Sequence, residues 1–132
     1  MASDGYSLIR VDLRSRTPIY EQIIKCIHDL VLTGILGPDE QLPSIRQLSA
    51  EIGINPNTIQ KAYAELERDG VIYNLLGRGT FISDDISRLT NSKYVEILIE
   101  LEELVTEAKK YQVDSDDLIK VINRVYYKDI ML

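Results

Sequence analysis

A mostly α fold with one small β-hairpin is what the sequence predicts, and three observations predict it. Apolar residues recur at helical spacing in several separate segments. Two short helical segments meet at a tight turn around Gly53. Two strand-like runs, VIYNL (Val71–Leu75) and TFIS (Thr80–Ser83), flank a turn carrying Gly77 and Gly79.

Residues 1–16 read as an extended arm or short strand, because SLIRVDL (Ser7–Leu13) partly alternates. Arg10, Arg14 and Arg16 cluster here, and a solvated arm is preferred to one that touches phosphate. The first helix is expected to open at Thr17-Pro18. Thr17 is assigned to cap free N–H groups, and Pro18 to take the first helical position, where its missing N–H costs nothing. Tyr20, Ile23, Ile24, Ile27, Leu30 and Val31 form its apolar face, and Gly34 stops it. Leu36–Asp39 is a loop.

Ser44 and Gln47 have the spacing of a capping box and open a second, short helix. Its inward face is Ile45, Leu48, Ser49 and Ile52, and Gly53 ends it. Asn55 as cap and Pro56 as first residue open a third helix running to about Asp69. Ile59, Ala62, Tyr63 and Leu66 point inward, and Gly70 stops it. A helix-turn-helix alone is a weak signal, since many helical proteins turn such corners. Followed at once by a glycine-tipped hairpin, it describes a winged helix-turn-helix over residues 1–83.

Residues 84–132 change character to acidic and helical. From about Asn91, apolar residues at Tyr94, Leu98, Leu101, Val105 and Ala108 alternate steps of four and three, the spacing of a short coiled coil. A last helix starts at Ser115 after a turn at Gln112–Asp114, with Asp116 and Asp117 suiting its positive end. Leu118, Val121, Ile122 and Val125 form its apolar stripe. Two helices of this size cannot bury both stripes alone. A symmetric dimer through Tyr94, Leu98, Leu101, Val105 and Ala108 is the preferred expectation over completion of a monomeric fold.

Composition limits the function classes. No apolar run in the 132 residues approaches a membrane span, and Met1–Tyr6 lacks the basic start and apolar core of a signal peptide. The expectation is a cytoplasmic protein without membrane contact. Cys26 is the sole cysteine and His28 the sole histidine, so neither a disulfide nor a histidine metal site is expected, and no cofactor is. No phosphate loop, metal cluster or nucleophile elbow points to an enzyme. The carboxylate pairs Glu102-Glu103 and Asp116-Asp117 point to different helix faces and read as solvated.

A net charge of −6 argues at first against nucleic acid, which favours a basic surface. The imbalance is uneven: residues 1–83 hold 8 basic and 10 acidic side chains, and residues 84–132 hold 7 and 11. In a helix-turn-helix the third helix enters the major groove N-terminus first. That places Asn55, Asn57, Thr58, Gln60 and Lys61 toward base edges, where amides bond adenine and a threonine offers hydroxyl and methyl. Ser44 and Arg46 lie on the preceding helix, and Gly77, Arg78, Gly79 and Thr80 form the wing. Each has a plainer reading: Asn55 as a cap only, Thr58 bonded to the cap, Arg46, Gln60 and Lys61 as solvated side chains, the glycines as turn residues. Duplex DNA is the expected partner. A winged helix used for protein contacts is the alternative, and salt-dependent retention on random duplex separates the two.

The stretches LPSIRQLS (Leu42–Ser49), GINPNTIQKAYAELERDGVI (Gly53–Ile72) and GRGTFI (Gly77–Ile82) resemble, in order and spacing, the N-terminal domain of the GntR family of bacterial regulators. TPIYEQI (Thr17–Ile23) resembles that family's usual opening of the first helix. The resemblance implies a winged helix that binds an operator and usually represses. By motif position, Arg46 matches the family's DNA-contacting arginine and Gly77 the wing glycine that approaches DNA. This chain departs in having Ile45 where many members carry glutamate, and Pro56 and Gln60 where many carry arginine. Recognition is therefore assigned to Asn57, Thr58, Gln60 and Lys61, with less dependence on guanine at those steps. The short tail resembles the YtrA-like subfamily, whose members often regulate transporter genes. A small-molecule effector would bind at the dimer interface or between domains, and the sequence identifies none.

Overall fold

The computed structural model describes residues 8–128, in the order α1 (Ile19–Leu32), β1 (Gln41–Leu42), α2 (Ile45–Ile52), α3 (Pro56–Arg68), β2 (Ile72–Leu75), β3 (Gly79–Ile82), α4 (Ser87–Lys110) and α5 (Ser115–Tyr127). The chain divides into two compact units, one reaching Thr90 and one starting at Asn91. The part of the N-terminal arm up to Ser7 lies outside the described residues.

In the first unit, α1, α2 and α3 enclose a core that the helical period places in advance. Ile23, Ile27 and Val31 bury one stripe of α1, Leu48 comes from α2, and Ile59, Ala62, Tyr63 and Leu66 come from α3. Each fully buried aliphatic side chain contributes about 1.5–3 kcal/mol relative to exposure. Ile9 is also buried, so residues ahead of α1 pack onto the core, though none of the described ones forms a strand.

The start of α1 differs from expectation. Pro18, not Thr17, occupies the cap position, and no side chain among the described residues caps the helix. The Thr17 carbonyl instead accepts a hydrogen bond from Gln22 Nε2 at 2.8 Å. The other starts follow their sequence signals. Ser44 Oγ accepts from Gln47 N at 3.0 Å while Gln47 Oε1 accepts from Ser44 N at 2.9 Å, which completes the capping box. Asn55 Oδ1 accepts from Asn57 N at 2.8 Å, with Pro56 in the first turn. Gly53 closes α2 in the left-handed conformation at φ +68°.

The β-structure is larger than a hairpin. β3 lies between β2 and β1 in a three-stranded antiparallel sheet. Asn74 pairs with Thr80 across the hairpin, and Gln41 pairs with Phe81 on the other side. Ile72 and Ile82 face the core, and the Tyr73 and Phe81 rings stack at 5.6 Å on the opposite face.

In the second unit, Asp114 Oδ1 accepts from Asp116 N at 3.0 Å and starts α5. Helix α4 starts earlier than the seam suggests, at Ser87, because Ile86 and Leu89 pack against the core of the first unit. The apolar stripe of α5 is uncovered in the single chain: Val121, Ile122 and Val125 are exposed, and Leu118 is half-buried. Among the described residues no helix is long and apolar enough to cross a membrane.

Candidate nucleic-acid interface

Two short helices and a wing present the polar residues of interest, and local hydrogen bonds decide which side chains remain free to bond a partner. Asn57 and Gln60 lie exposed near the start of α3, and neither side chain bonds elsewhere among the described residues. Thr58 is half-buried; its backbone N–H, not its hydroxyl, meets the Asn55 carbonyl at 3.0 Å. Asn55 is different, because its Oδ1 is engaged in the cap. A bidentate adenine contact needs both amide atoms, so Asn57 and Gln60 suit it and Asn55 does not.

Lys61 is exposed, yet its Nζ sits 3.9 Å from the centre of the Tyr20 ring on α1. Such a cation–π contact contributes about 0.5–1 kcal/mol at an exposed site, and it anchors the ammonium beside the start of α1. Arg46 lies exposed in the first turn of α2 and forms no ion pair among the described residues. Its guanidinium is free for a planar acceptor such as phosphate or a guanine edge.

The wing closes a shallow groove of about 350 Å³ against the start of α2. Ser44, Gly77, Arg78, Gly79 and Thr80 all line it, so the structure brings these candidates together. Arg46, Asn57, Thr58, Gln60 and Lys61 lie outside that groove, on the helices. Gly77 takes φ +77° with open space where a side chain would stand. Gly79 takes φ +122°, and a Cβ there would lie 2.5 Å from Gln41 Nε2. That same nitrogen donates to the Arg78 carbonyl at 3.1 Å. A larger residue at 79 would thus have to displace the Gln41 amide as well as adopt the turn's φ. Thr80 Oγ1 donates to Asn74 Oδ1 at 3.4 Å across the hairpin.

Sequence reasoning missed Gln41, Asn74, Tyr73 and Asp39 as parts of this region. Gln41 and Asn74 line the groove, and nothing in their local pattern marks them. The Tyr73 hydroxyl donates to Asp39 Oδ1 at 2.8 Å, and Asp39 N donates to the Ile82 carbonyl at 2.7 Å, which ties the loop ahead of β1 to the base of the wing. The bond to the Asp39 carboxylate raises the Tyr73 phenol above its ordinary range, aided by slight desolvation and the charges of Asp39 and Asp84. Inside the core, the Tyr63 hydroxyl donates to the Pro43 carbonyl at 2.8 Å, and burial pushes that phenol up further still, with Glu51 adding to it.

Residues 19–82 match the family described as bacterial regulatory proteins, gntR family. The chain is 44% identical over 119 residues to the HTH-type transcriptional repressor YtrA of Bacillus subtilis (strain 168), an alignment covering 89% of this chain and 92% of that protein. The crystal structure of a transcriptional regulator from Oenococcus oeni superposes with a TM-score of 0.75 at 34% identity, covering 88% of this chain and 97% of that one. That of AraR(DBD) in complex with operator ORX1 matches 59% of this chain and all of its own, at 26% identity and a TM-score of 0.53.

Proposed function

Because this chain belongs to the GntR family of bacterial regulatory proteins, we propose that it is a sequence-specific DNA-binding repressor, acting in the cytoplasm as a homodimer on a palindromic operator. Residues 1–83 read the DNA in this proposal, and residues 84–132 pair two copies.

The observation that carries the DNA reading is the exposed, unengaged polar start of α3, with Asn57 and Gln60, together with the exposed Arg46 of α2. Thr58 and Lys61 lie on the same helix, Asn55 caps it, and Ser44 lines the groove that Gly77, Arg78, Gly79 and Thr80 of the wing close. Amides at the α3 start give adenine contacts, while Arg46 supplies the charged one. The chain's relationship to a named repressor over most of both lengths supports the sign of regulation.

Pairing rests on the second unit. Tyr94, Leu98, Leu101 and Val105 are 66%, 49%, 42% and 40% exposed in the single chain, and Ala108 is half-buried. Covering this stripe with a second copy removes apolar area from water and sets two recognition helices on one duplex.

Selection of bound fragments from a random duplex pool, followed by salt titration of the best fragment, tests the reading. The expected outcome is an enriched palindrome whose affinity falls steeply with salt. Absence of salt-dependent retention on every duplex rejects it.

A further inference from the structure

The segment ahead of α1 is a built loop. Gln22, one turn into α1, reaches back and closes it: Asp12 N donates to Gln22 Oε1 at 2.7 Å, while Gln22 Nε2 donates to the Asp12 carbonyl at 3.1 Å and the Thr17 carbonyl at 2.8 Å. Inside this clamp Arg14 N donates to Asp12 Oδ1 at 2.9 Å and Thr17 N to Ser15 Oγ at 3.1 Å. Ile9, buried in the core, and the Cys26 thiol, which donates to the Leu8 carbonyl at 3.5 Å, hold the chain on its other side. The backbone of residues 12–17 is therefore fixed before any partner arrives, which lowers the ordering cost of binding.

What this fixed loop displays is positive charge. In the described residues up to Ser83, Lys25 pairs with Asp29 and Arg68 with Asp69. The remaining cations are Arg10, Arg14, Arg16, Arg46, Lys61 and Arg78, none of them in an ion pair among the described residues. Half of them stand in the segment ahead of α1. Asp12 is the one carboxylate among residues 8–17, against three arginines, and its Oδ1 is turned onto Arg14 N.

The loop's position follows from one contact. Lys61 of α3 lies over the Tyr20 ring, so the start of α1 stands beside the second turn of the helix that carries Asn57 and Gln60. Arg16 precedes the first residue of α1 by three positions. Lys61 thus stands where α3 meets the helix start that the loop leads into. We infer that the Gln22-clamped loop is a second contact to the sugar-phosphate backbone of duplex DNA, with Arg14 and Arg16 meeting phosphates that flank the segment read by α3. This rests on the DNA-binding reading above. Arginine forks suit phosphate oxygens, and such contacts add affinity without reading sequence.

The test compares the full-length chain with Arg14→Ala/Arg16→Ala, Arg14→Lys/Arg16→Lys and, as a charge control, Lys109→Ala/Lys110→Ala. Each is titrated on its selected duplex and on a scrambled duplex from 50 to 200 mM salt. In the proposed homodimer the two arginines of each copy make four phosphate contacts, whose loss flattens the salt slope by about 3.6, so the parent's affinity loss over that range shrinks by roughly a hundredfold. The alanine pair is expected to weaken both duplexes equally, leaving their ratio unchanged, while the lysine pair restores the slope. An unchanged slope for the alanine pair, or the same change for the control pair, overturns the inference. If the parent itself binds no duplex, the DNA reading falls first, and that result is distinct from the other two. Gln22→Leu supplies a readout without DNA: amide exchange at Arg14 and Thr17 is expected to speed up, and unchanged protection there refutes the clamp.

Discussion

Gly79→Ala isolates the contact that holds the wing tip. An alanine must adopt φ +122°, a region that L side chains rarely enter, and its Cβ would lie 2.5 Å from Gln41 Nε2. Backbone strain of this kind costs about 1–3 kcal/mol. Displacing the Gln41 amide also removes its bond to the Arg78 carbonyl, worth about 0.5–1.5 kcal/mol. The expected total is about 2–4 kcal/mol of unfolding free energy. Gly77→Ala is the control, since φ +77° is also strained but nothing lies within 4 Å of the added carbon. It should cost about 1–2 kcal/mol. Urea denaturation of the three proteins, followed by circular dichroism with equal slopes, measures both. If Gly79→Ala costs no more than Gly77→Ala, the Gln41 contact has no energetic weight and the reasoning is wrong.

Ser44→Ala removes one half of the α2 capping box and should cost about 0.5–2 kcal/mol in the same assay. Tyr73 has a raised folded pKa, so its bond to Asp39 contributes stability that is complete below the ordinary tyrosine range and is lost as pH rises through the raised value. Tyr73→Phe should flatten that alkaline part of the stability profile, measured by urea midpoints across pH. Arg46→Ala should leave the melting temperature within a degree or two, because the side chain is exposed and in no ion pair among the described residues, yet remove about 1–3 kcal/mol of discrimination between operator variants in anisotropy titrations. Leu101→Asp should turn a dimer into a monomer by light scattering and lower operator affinity; a tight-binding dimer from this variant refutes the seam.

The helices were legible because each depends on a local period. The inward positions of α3, Ile59, Ala62, Tyr63 and Leu66, are the four residues it buries. Caps built from a side chain and its own next turn, as at Ser44 and Asn55, were legible for the same reason. What escaped depends on distant partners. β1 is two residues long and exists only because Phe81 and Thr80 lie opposite it. Thr17 has a capping side chain, but Gln22 takes its carbonyl and the helix opens at Pro18 without one. The start of α4 escaped because Ile86 and Leu89 obey the first unit's core instead of the seam. In the candidate interface, residue types pointed to the helix and wing positions, but could not show that Asn55 has lent its oxygen to the cap or that Gln41 reaches the wing tip.

The meeting of Gln41 with Gly79 also has a meaning in descent. Two positions far apart in the chain share one small volume, so the side chain at position 41 bears on what position 79 can hold. A lineage that replaces the glycine displaces the amide end of the side chain at position 41 and still meets a φ of +122°, whereas one that loses the glutamine keeps the glycine for the turn alone. Among relatives, a residue other than glycine at position 79 should therefore be found more often where position 41 is not glutamine, leaving a record of the wing's architecture in the history of the sequence itself.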